Sequence, residues 1–412
     1  MLYPDYNKCL LSLMQLLCIL FVGLVQKVQN SSAASDGAIG GGDAAAKPPT
    51  GHLQPLGSHR PAEPGIDTVE AIPHPKQFYE DYVNKGKPLL MRGAASSMPA
   101  FRLWNDDFLK EKYGHLTVEV EEGKKENRSL GLWEMTLKEY IDQYNNKDIY
   151  LVESIKPAMR DDFHLLKCIL CGGFVDNLQD AILWFSSGGT KSVLHYDEVD
   201  NINCIMDGKK EFFMVDKKNS EYIDIDAPEG SYSEVDVEKA DLYKYPGLGT
   251  VPWFNVTMEA GDCFYIPYKW FHQVKSSSGR NLAVNVWFNH VWRFNHTDCD
   301  VKQQARVHHA PLSLFKFVDS KEEIRQHIMS LMDDLNVQYL SVTDYNELAL
   351  ALDIDEQDSE LVFTYIDSNL NGRITEEEVL QVDVAKMIAF LPEIFQDYQN
   401  EDEQLKTTKD EL

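Results

Sequence analysis

His195 and Asp197 share one short segment, while His272 stands 75 residues beyond Asp197, and few folds can bring the three together. The run Thr190-Lys-Ser-Val-Leu-His-Tyr-Asp-Glu-Val-Asp-Asn201 alternates like a strand. Alternation puts His195 and Asp197 on one face, an imidazole and a carboxylate ~7 Å apart along the chain. A second histidine would complete the two-histidine, one-carboxylate face that holds non-heme Fe(II) and leaves the opposite positions open. His272 is the candidate, at the end of Gly261-Asp-Cys-Phe-Tyr-Ile-Pro-Tyr-Lys-Trp-Phe-His272. A lone His-x-Asp arises often by chance. Followed by a Gly-Asp turn, an apolar strand and a histidine, it is far more specific. The competing reading is a set of surface polar residues on an ordinary β domain.

The surrounding pattern suits convergence. From Ala181 onward short strands are predicted at 182–185, 192–197, 202–206, 211–215, 263–266, 272–275 and 281–289. Asp207-Gly-Lys209 predicts a hairpin between two of them, and Ser276-Ser-Ser-Gly279 turns between the last pair. Many short strands with tight turns suit a double-sheet jelly roll (a double-stranded β-helix), which places ligands from distant strands inside one barrel. Upstream, apolar periodicity predicts helices at 75–84, 104–113 and 136–145, and strands at 88–92, 117–121 and 148–153. The acidic stretch 219–252 reads as an insertion. After His296 the pattern turns helical, which sets a domain boundary near 310. The fold expected is mainly β with flanking helices, plus an all-α C-terminal module.

Charge narrows the partners. The 412 residues carry 66 acids against 39 bases, a formal net charge of −27. Such a surface repels nucleic acid and anionic membrane, so no nucleic-acid partner is expected; it favours divalent cations. Residues 1–30 read as a signal peptide, with Lys8 ahead of an apolar run from Cys9 to Val25. Its cleavage would leave no stable membrane anchor; an uncleaved signal anchor is the alternative. Lys409-Asp-Glu-Leu412 is the retrieval address read by the KDEL receptor, at the end of an acidic tail over 399–412. Asn30, Asn127, Asn255 and Asn295 head glycosylation sequons. Together these indicate the endoplasmic reticulum lumen. Residues 31–66, rich in Ala, Gly, Ser and Pro, read as a flexible linker.

With Cys9 and Cys18 lost in the signal, Cys168, Cys171, Cys204, Cys263 and Cys299 remain. Five is odd, so at least one stays free or pairs between chains. Cys168 and Cys171 have redox-pair spacing, but a structural bridge or two buried thiols is favoured.

Residues 67–296 resemble the JmjC-type, cupin-fold Fe(II)/2-oxoglutarate oxygenases. Within them the resemblance is strongest to the asparaginyl hydroxylase that restrains the hypoxia-inducible factor, and to its small hydroxylase relatives. The shared words are His195-Tyr-Asp-Glu198, Gly208-Lys-Lys210, Gly261-Asp, Tyr265-Ile-Pro267 and Val284-Asn-Val-Trp287. The resemblance implies iron on His195, Asp197 and His272. It implies Lys210 and Tyr150 on the distal carboxylate of 2-oxoglutarate, Ser192 as a further hydroxyl, and Asn201 and Asn285 beside the cosubstrate. Independently, Lys210 shares a strand face with Phe212 and Met214, a costly place for an unpaired ammonium. A snorkelling lysine is the alternative there, ordinary core for Tyr150, and a satisfied buried amide for Asn285.

Asp367-Ser-Asn-Leu-Asn-Gly-Arg-Ile-Thr-Glu-Glu-Glu378 matches a twelve-residue EF-hand loop. Calcium would be held by Asp367, Asn369, Asn371, the Arg373 carbonyl, Thr375 and Glu378. An earlier hand aligned thirty-four residues back starts at Asp333 but lacks ligands, so 321–398 reads as a degenerate hand beside a binding one, after a helical connector at 297–320. The enzyme expected is a lumenal Fe(II)/2-oxoglutarate dioxygenase acting on a protein of the secretory pathway, with Ca2+ bound. The alternatives are a catalytically silent, calcium-dependent adaptor and an RNA-modifying oxygenase, the latter disfavoured by charge. A homodimer is left open.

Overall fold

The computed structural model describes residues 47–123, 132–227, 230–302, 309–318, 322–351 and 356–395. The signal peptide, the Asn30 and Asn127 sequons and the acidic tail lie outside the described residues. The chain divides into one unit ending at Phe317 and another beginning at Val318. Among the described residues no helix is long and apolar enough to cross a membrane.

The first unit opens with β1 Asp67–Val69, β2 Leu89–Met91, β3 Thr117–Glu122, β4 Trp133–Thr136, β5 Ile149–Ser154 and β6 His164–Leu166. There follow β7 Leu178–Gly188, β8 Leu194–His195, β9 Asp200–Asp207, β10 Lys209–Val215, β11 Tyr232–Ser233 and β12 Phe254–Glu259. It closes with β13 Cys263–Ile266, β14 Phe271–Ser276, β15 Ser278–Phe288 and β16 His309–Pro311. A nine-stranded sheet has the order β1-β2-β13-β9-β15-β7-β5-β3-β4, and a five-stranded sheet the order β11-β8-β14-β10-β12. From β8 to β10 and again from β13 to β15 the chain changes sheet at every strand. That alternation makes the jelly roll.

It also corrects the hairpin expected at Asp207-Gly-Lys209. β9 pairs with β13 and β15, whereas β10 pairs with β12 and β14. The turn is a corner between sheets. Gly208 sits at φ +86°, and a Cβ there would meet the Arg280 carbonyl oxygen at 2.6 Å. The Ser276–Gly279 turn is likewise a corner, from β14 to β15.

Each strand face has a separate cover. Ile202, Cys204 and Met206 of β9 and Leu282, Val284 and Val286 of β15 join Phe78, Tyr140 and Tyr144 from the flanking helices. The opposite faces, through Ile205 and Ala283, meet Phe212, Met214, Val256 and Phe264 between the sheets. Outside the small sheet, Leu194, Phe213, Val215 and Phe271 lie under Val235, Val237, Leu242 and Val251 of the acidic insertion. The helix at Leu137–Gln143 starts on a Thr136–Glu139 capping box, so its boundary is fixed chemically. The segment expected as one helix at 75–84 is an α-turn, Pro75–Phe78, running into a π-helix, Tyr79–Val83.

Three further expectations are corrected. The described part of the supposed linker is a strap: Leu53 N–H donates to Ala240 O (2.8 Å), Leu56 N–H to Val237 O (3.0 Å) and Glu63 N–H to Trp253 O (2.7 Å). Leu56 packs on the core beneath the insertion, a gain that composition does not reveal. The segment at 297–320, expected as a helical connector between domains, belongs to the first unit as far as Phe317. Cys299 is bonded to Cys171, and β16 pairs with β6, so the first unit reaches Phe317. Finally, Cys168 and Cys171 form neither a bridge nor two thiols: Cys204 is bonded to Cys263, and Cys168 alone is a buried thiol.

In the second unit helices span Glu323–Leu335, Val342–Ala351, Glu356–Ile366, Glu376–Gln381 and Val384–Phe390. It is not all-α, because β17 Tyr339–Ser341 pairs antiparallel with β18 Arg373–Thr375, Leu340 opposite Ile374. Asp333 does not start a loop. The helix runs on to Leu335 and stops at Asn336, which takes the left-handed conformation (φ +51°).

Candidate metal centre

His195 ends β8, His272 is the second residue of β14, and the two are antiparallel Cα partners. Their rings lie 4.2 Å apart. The strand expected to carry Asp197 stops at His195, so Asp197 reaches the site from a turn, where its carbonyl accepts Lys269 N–H at 2.9 Å. The carboxylate still comes back: Oδ1 is 3.8 Å from His195 Nε2 and Oδ2 3.6 Å from His272 Nε2. All three ligand atoms lie within 4.8 Å of one another, and no other such cluster exists among the described residues. Cis ligands of an ion with bonds of ~2.1 Å sit ~3 Å apart, so small side-chain shifts close the set.

The tautomers are fixed. His195 Nδ1 faces Val193 O and His272 Nδ1 faces Trp270 O, each at 3.0 Å. A carbonyl can only accept, so each Nδ1 carries the hydrogen and each Nε2 turns a lone pair to the centre. Two neutral imidazoles and one carboxylate on one side of a point are the donor set that suits Fe(II).

The interior face of the barrel continues the site. Met214 is the Cα partner of His272, and Lys210 lies four residues earlier on the same face of β10, ~13 Å along the strand. Lys210 is 4 % exposed and has no acceptor among the described residues; its ammonium lies 5.7 Å from the centre of the Trp184 ring. Burial lowers its pKa from 10.5 to about 8. The Tyr150 ring lies 5.8 Å from the ring of this tryptophan. The Ser192 hydroxyl is engaged locally, donating to Val193 O (3.0 Å) and accepting Val274 N–H (2.9 Å). Asn285 Oδ1 accepts from Asn203 Nδ2, while Asn201 Oδ1 is buried without a partner.

Sequence reasoning assigned no role to Trp184, Trp287 or Asn203. Trp184 Nε1, Trp287 Nε1 and Asn203 Oδ1 are all buried and unpartnered. The pairing of β9 with β15, which the sequence does not show, sets Trp287 opposite Asn201 and Asn203 opposite Asn285. A buried ammonium without an acceptor, beside unpartnered buried polar atoms, suits an anionic ligand with several oxygens.

In the second unit the loop from Asp367 to Glu378 links helix to helix. Asp367 accepts N–H bonds from Asn371 (3.1 Å) and Gly372 (2.7 Å). Glu378 accepts from Ser368 (3.1 Å), Asn369 Nδ2 (2.8 Å) and the Thr375 hydroxyl (2.8 Å). Burial alone would raise the Glu378 pKa, but the bonds from Thr375 and Ser368 outweigh it and hold it below its ordinary value. The Arg373 guanidinium lies 4.3 Å from the Tyr339 ring centre, leaving its backbone on β18 beside the loop.

Three relatives give the comparison. The Jumonji C domain-containing protein 5 of Drosophila melanogaster is 24 % identical over 235 residues, 52 % of this chain and 58 % of its own length. The lysine-specific demethylase JMJ30 of Arabidopsis thaliana is 27 % identical over 228 residues, 52 % of each. The human bifunctional peptidase and (3S)-lysyl hydroxylase JMJD7 is 23 % identical over 267 residues, 54 % of this chain and 84 % of its own. The chain thus spans little more than half the length of the fly and plant proteins. The family pattern described as a Cupin-like domain matches residues 75–294. That span takes in the whole small sheet and His195, Asp197 and His272, and on its extent the chain belongs to the Cupin-like domain family.

Proposed function

We propose that this chain is an Fe(II)- and 2-oxoglutarate-dependent dioxygenase that hydroxylates a side chain of a polypeptide in the endoplasmic reticulum lumen. The observation that carries the reading is the buried ammonium of Lys210, without an acceptor, on the same interior face as the His195–Asp197–His272 set. The names of the relatives, a lysyl hydroxylase and a lysine-specific demethylase among them, support oxidation and an amino-acid side chain as its target.

His195, Asp197 and His272 would hold the ion on one side and leave the other to ligands. When bound, iron and 2-oxoglutarate supply the oxidising power: dioxygen is consumed, 2-oxoglutarate is split to succinate and carbon dioxide, and one oxygen atom goes to the substrate carbon. Lys210 would take the distal carboxylate in a charge-assisted hydrogen bond, which the apolar surroundings of Phe212 and Met214 strengthen. Tyr150 flanks that pocket; Ser192 could join by turning its hydroxyl from Val193 O. Asn201 and Asn285 would line the cosubstrate. The rings of Trp184 and Phe212 exclude water.

Two disulfides among the described cysteines support an oxidising compartment. Asn255 and Asn295 are exposed and open to glycosylation. The Asp367–Glu378 geometry supports calcium binding in the second unit.

The test is turnover. Supplied with Fe(II), 2-oxoglutarate and a library of secretory peptides, the purified chain should release succinate and add 16 Da (one oxygen atom) to a peptide, and His195→Ala and Asp197→Ala should abolish both. Succinate no higher than in those variants would sink the reading.

A further inference from the structure

We propose that the acidic insertion between Asp216 and Trp253, clamped by the strap at 47–63, sets the orientation of His195 through the ring of Tyr232. The proposal rests on the metal-centre reading above. β8 is only two residues long, so its own ladder is short. On one side the pair His195 with His272 joins it to β14, with Ser192 N–H donating to Val274 O (2.9 Å) and a bridge between Lys191 and Lys275 just upstream. On the other side it depends on the insertion: β11 pairs Tyr232 with His195 and Ser233 with Leu194, and Tyr196 N–H donates to Ser231 O at 3.2 Å.

The side chains repeat this dependence. The Tyr232 ring stacks on the His195 imidazole, centroids 5.2 Å apart and planes 15° apart. The bond from Nδ1 to Val193 O fixes one point of the imidazole, but rotation about that bond would swing Nε2 away from Asp197. A flat ring against its face opposes that rotation. Tyr232 is therefore a positioning residue.

The insertion that carries Tyr232 is anchored independently of any metal. Glu238 bridges Lys191 (2.8 Å) and Lys275 (3.4 Å) on the barrel. From outside, Leu53 and Leu56 of the strap donate their N–H groups to Ala240 and Val237, and His59 Nε2 donates to Val251 O at 2.8 Å. Chain ~180 residues upstream of its partners thus braces the ring against a metal ligand.

Co(II) titration of the full chain tests this, with absorbance of the bound ion as readout. Wild-type protein that binds no Co(II) would overturn the metal centre and this proposal with it. With wild-type binding established, Tyr232→Phe should match it in affinity and spectrum. Tyr232→Ala should weaken Co(II) about two- to tenfold, the worth of an aromatic pair, and alter the band shape. Tyr232→Leu keeps apolar volume without a ring face, and should do the same with an unchanged melting temperature. Co(II) affinity and spectrum unchanged in both Ala and Leu variants would overturn the proposal. So would a Phe variant as impaired as they are, since the hydroxyl and not the ring would then be responsible.

Discussion

An ammonium buried without an acceptor loses part of its basicity, and at Lys210 the pKa falls from 10.5 to about 8. That fall corresponds to roughly 3 kcal/mol by which burying the charged form opposes folding at neutral pH. Between pH 8 and 10.5 the unfolded chain holds this proton and the folded one does not, so wild-type stability should rise with pH across that window. Lys210→Met should remove the slope and stabilise the ligand-free protein at pH 7 by up to about 3 kcal/mol in urea unfolding. The same variant should bind 2-oxoglutarate about 10- to 150-fold more weakly, the worth of a charge-assisted hydrogen bond. A variant no more stable than wild type at pH 7 would mean that the ammonium is solvated or paired. His195, Asp197, His272 and Lys210 stood out in the sequence because polar chemistry at that spacing, close to apolar residues, is local and unusual. Trp184 and Trp287 did not, because a tryptophan in an apolar strand reads as core until its N–H is seen to lack a partner.

At the scale of elements, most strands declared themselves through alternation, and Leu137–Gln143 through its capping box. What stayed hidden was pairing. A glycine turn looks the same whether its arms bond to each other or to different sheets, so Gly208 was misread as a hairpin. The proposed calcium loop from Asp367 to Glu378 stood out because the spacing of its oxygen side chains is the motif itself. It would offer two anionic ligands, Asp367 and Glu378, and the preceding segment at Asp333 is helix. Affinity follows charge count, so calorimetry should find one Ca2+ with Kd of ~10⁻⁵ to 10⁻³ M. Calcium should raise the melting temperature of this unit, and Glu378→Gln should remove the increase. Submicromolar affinity or two bound ions would refute the charge argument.

For the whole molecule, long-range links decide what holds the first unit together. Cys171–Cys299 closes 128 residues, and loop entropy of that size is worth up to about 5 kcal/mol. Replacing both cysteines by serine should lower the urea midpoint accordingly, without loss of the β6–β16 pair as judged by hydrogen exchange at Leu165. An unchanged midpoint would mean that strand pairing alone secures the segment. The strap at 47–63 has a consequence in time. His59 meets Val251, 192 residues later, so at about 5–20 residues per second its partner emerges roughly 10–40 s after it. For that interval Leu56, which packs beneath the insertion in the finished fold, has no surface to cover it. The strap is made first but finds its partners only after the insertion emerges, so this side of the barrel cannot mature in the order of its synthesis. A nascent chain halted before the insertion would leave Leu56 uncovered and the N–H groups of Leu53, Leu56 and Glu63 without their partners.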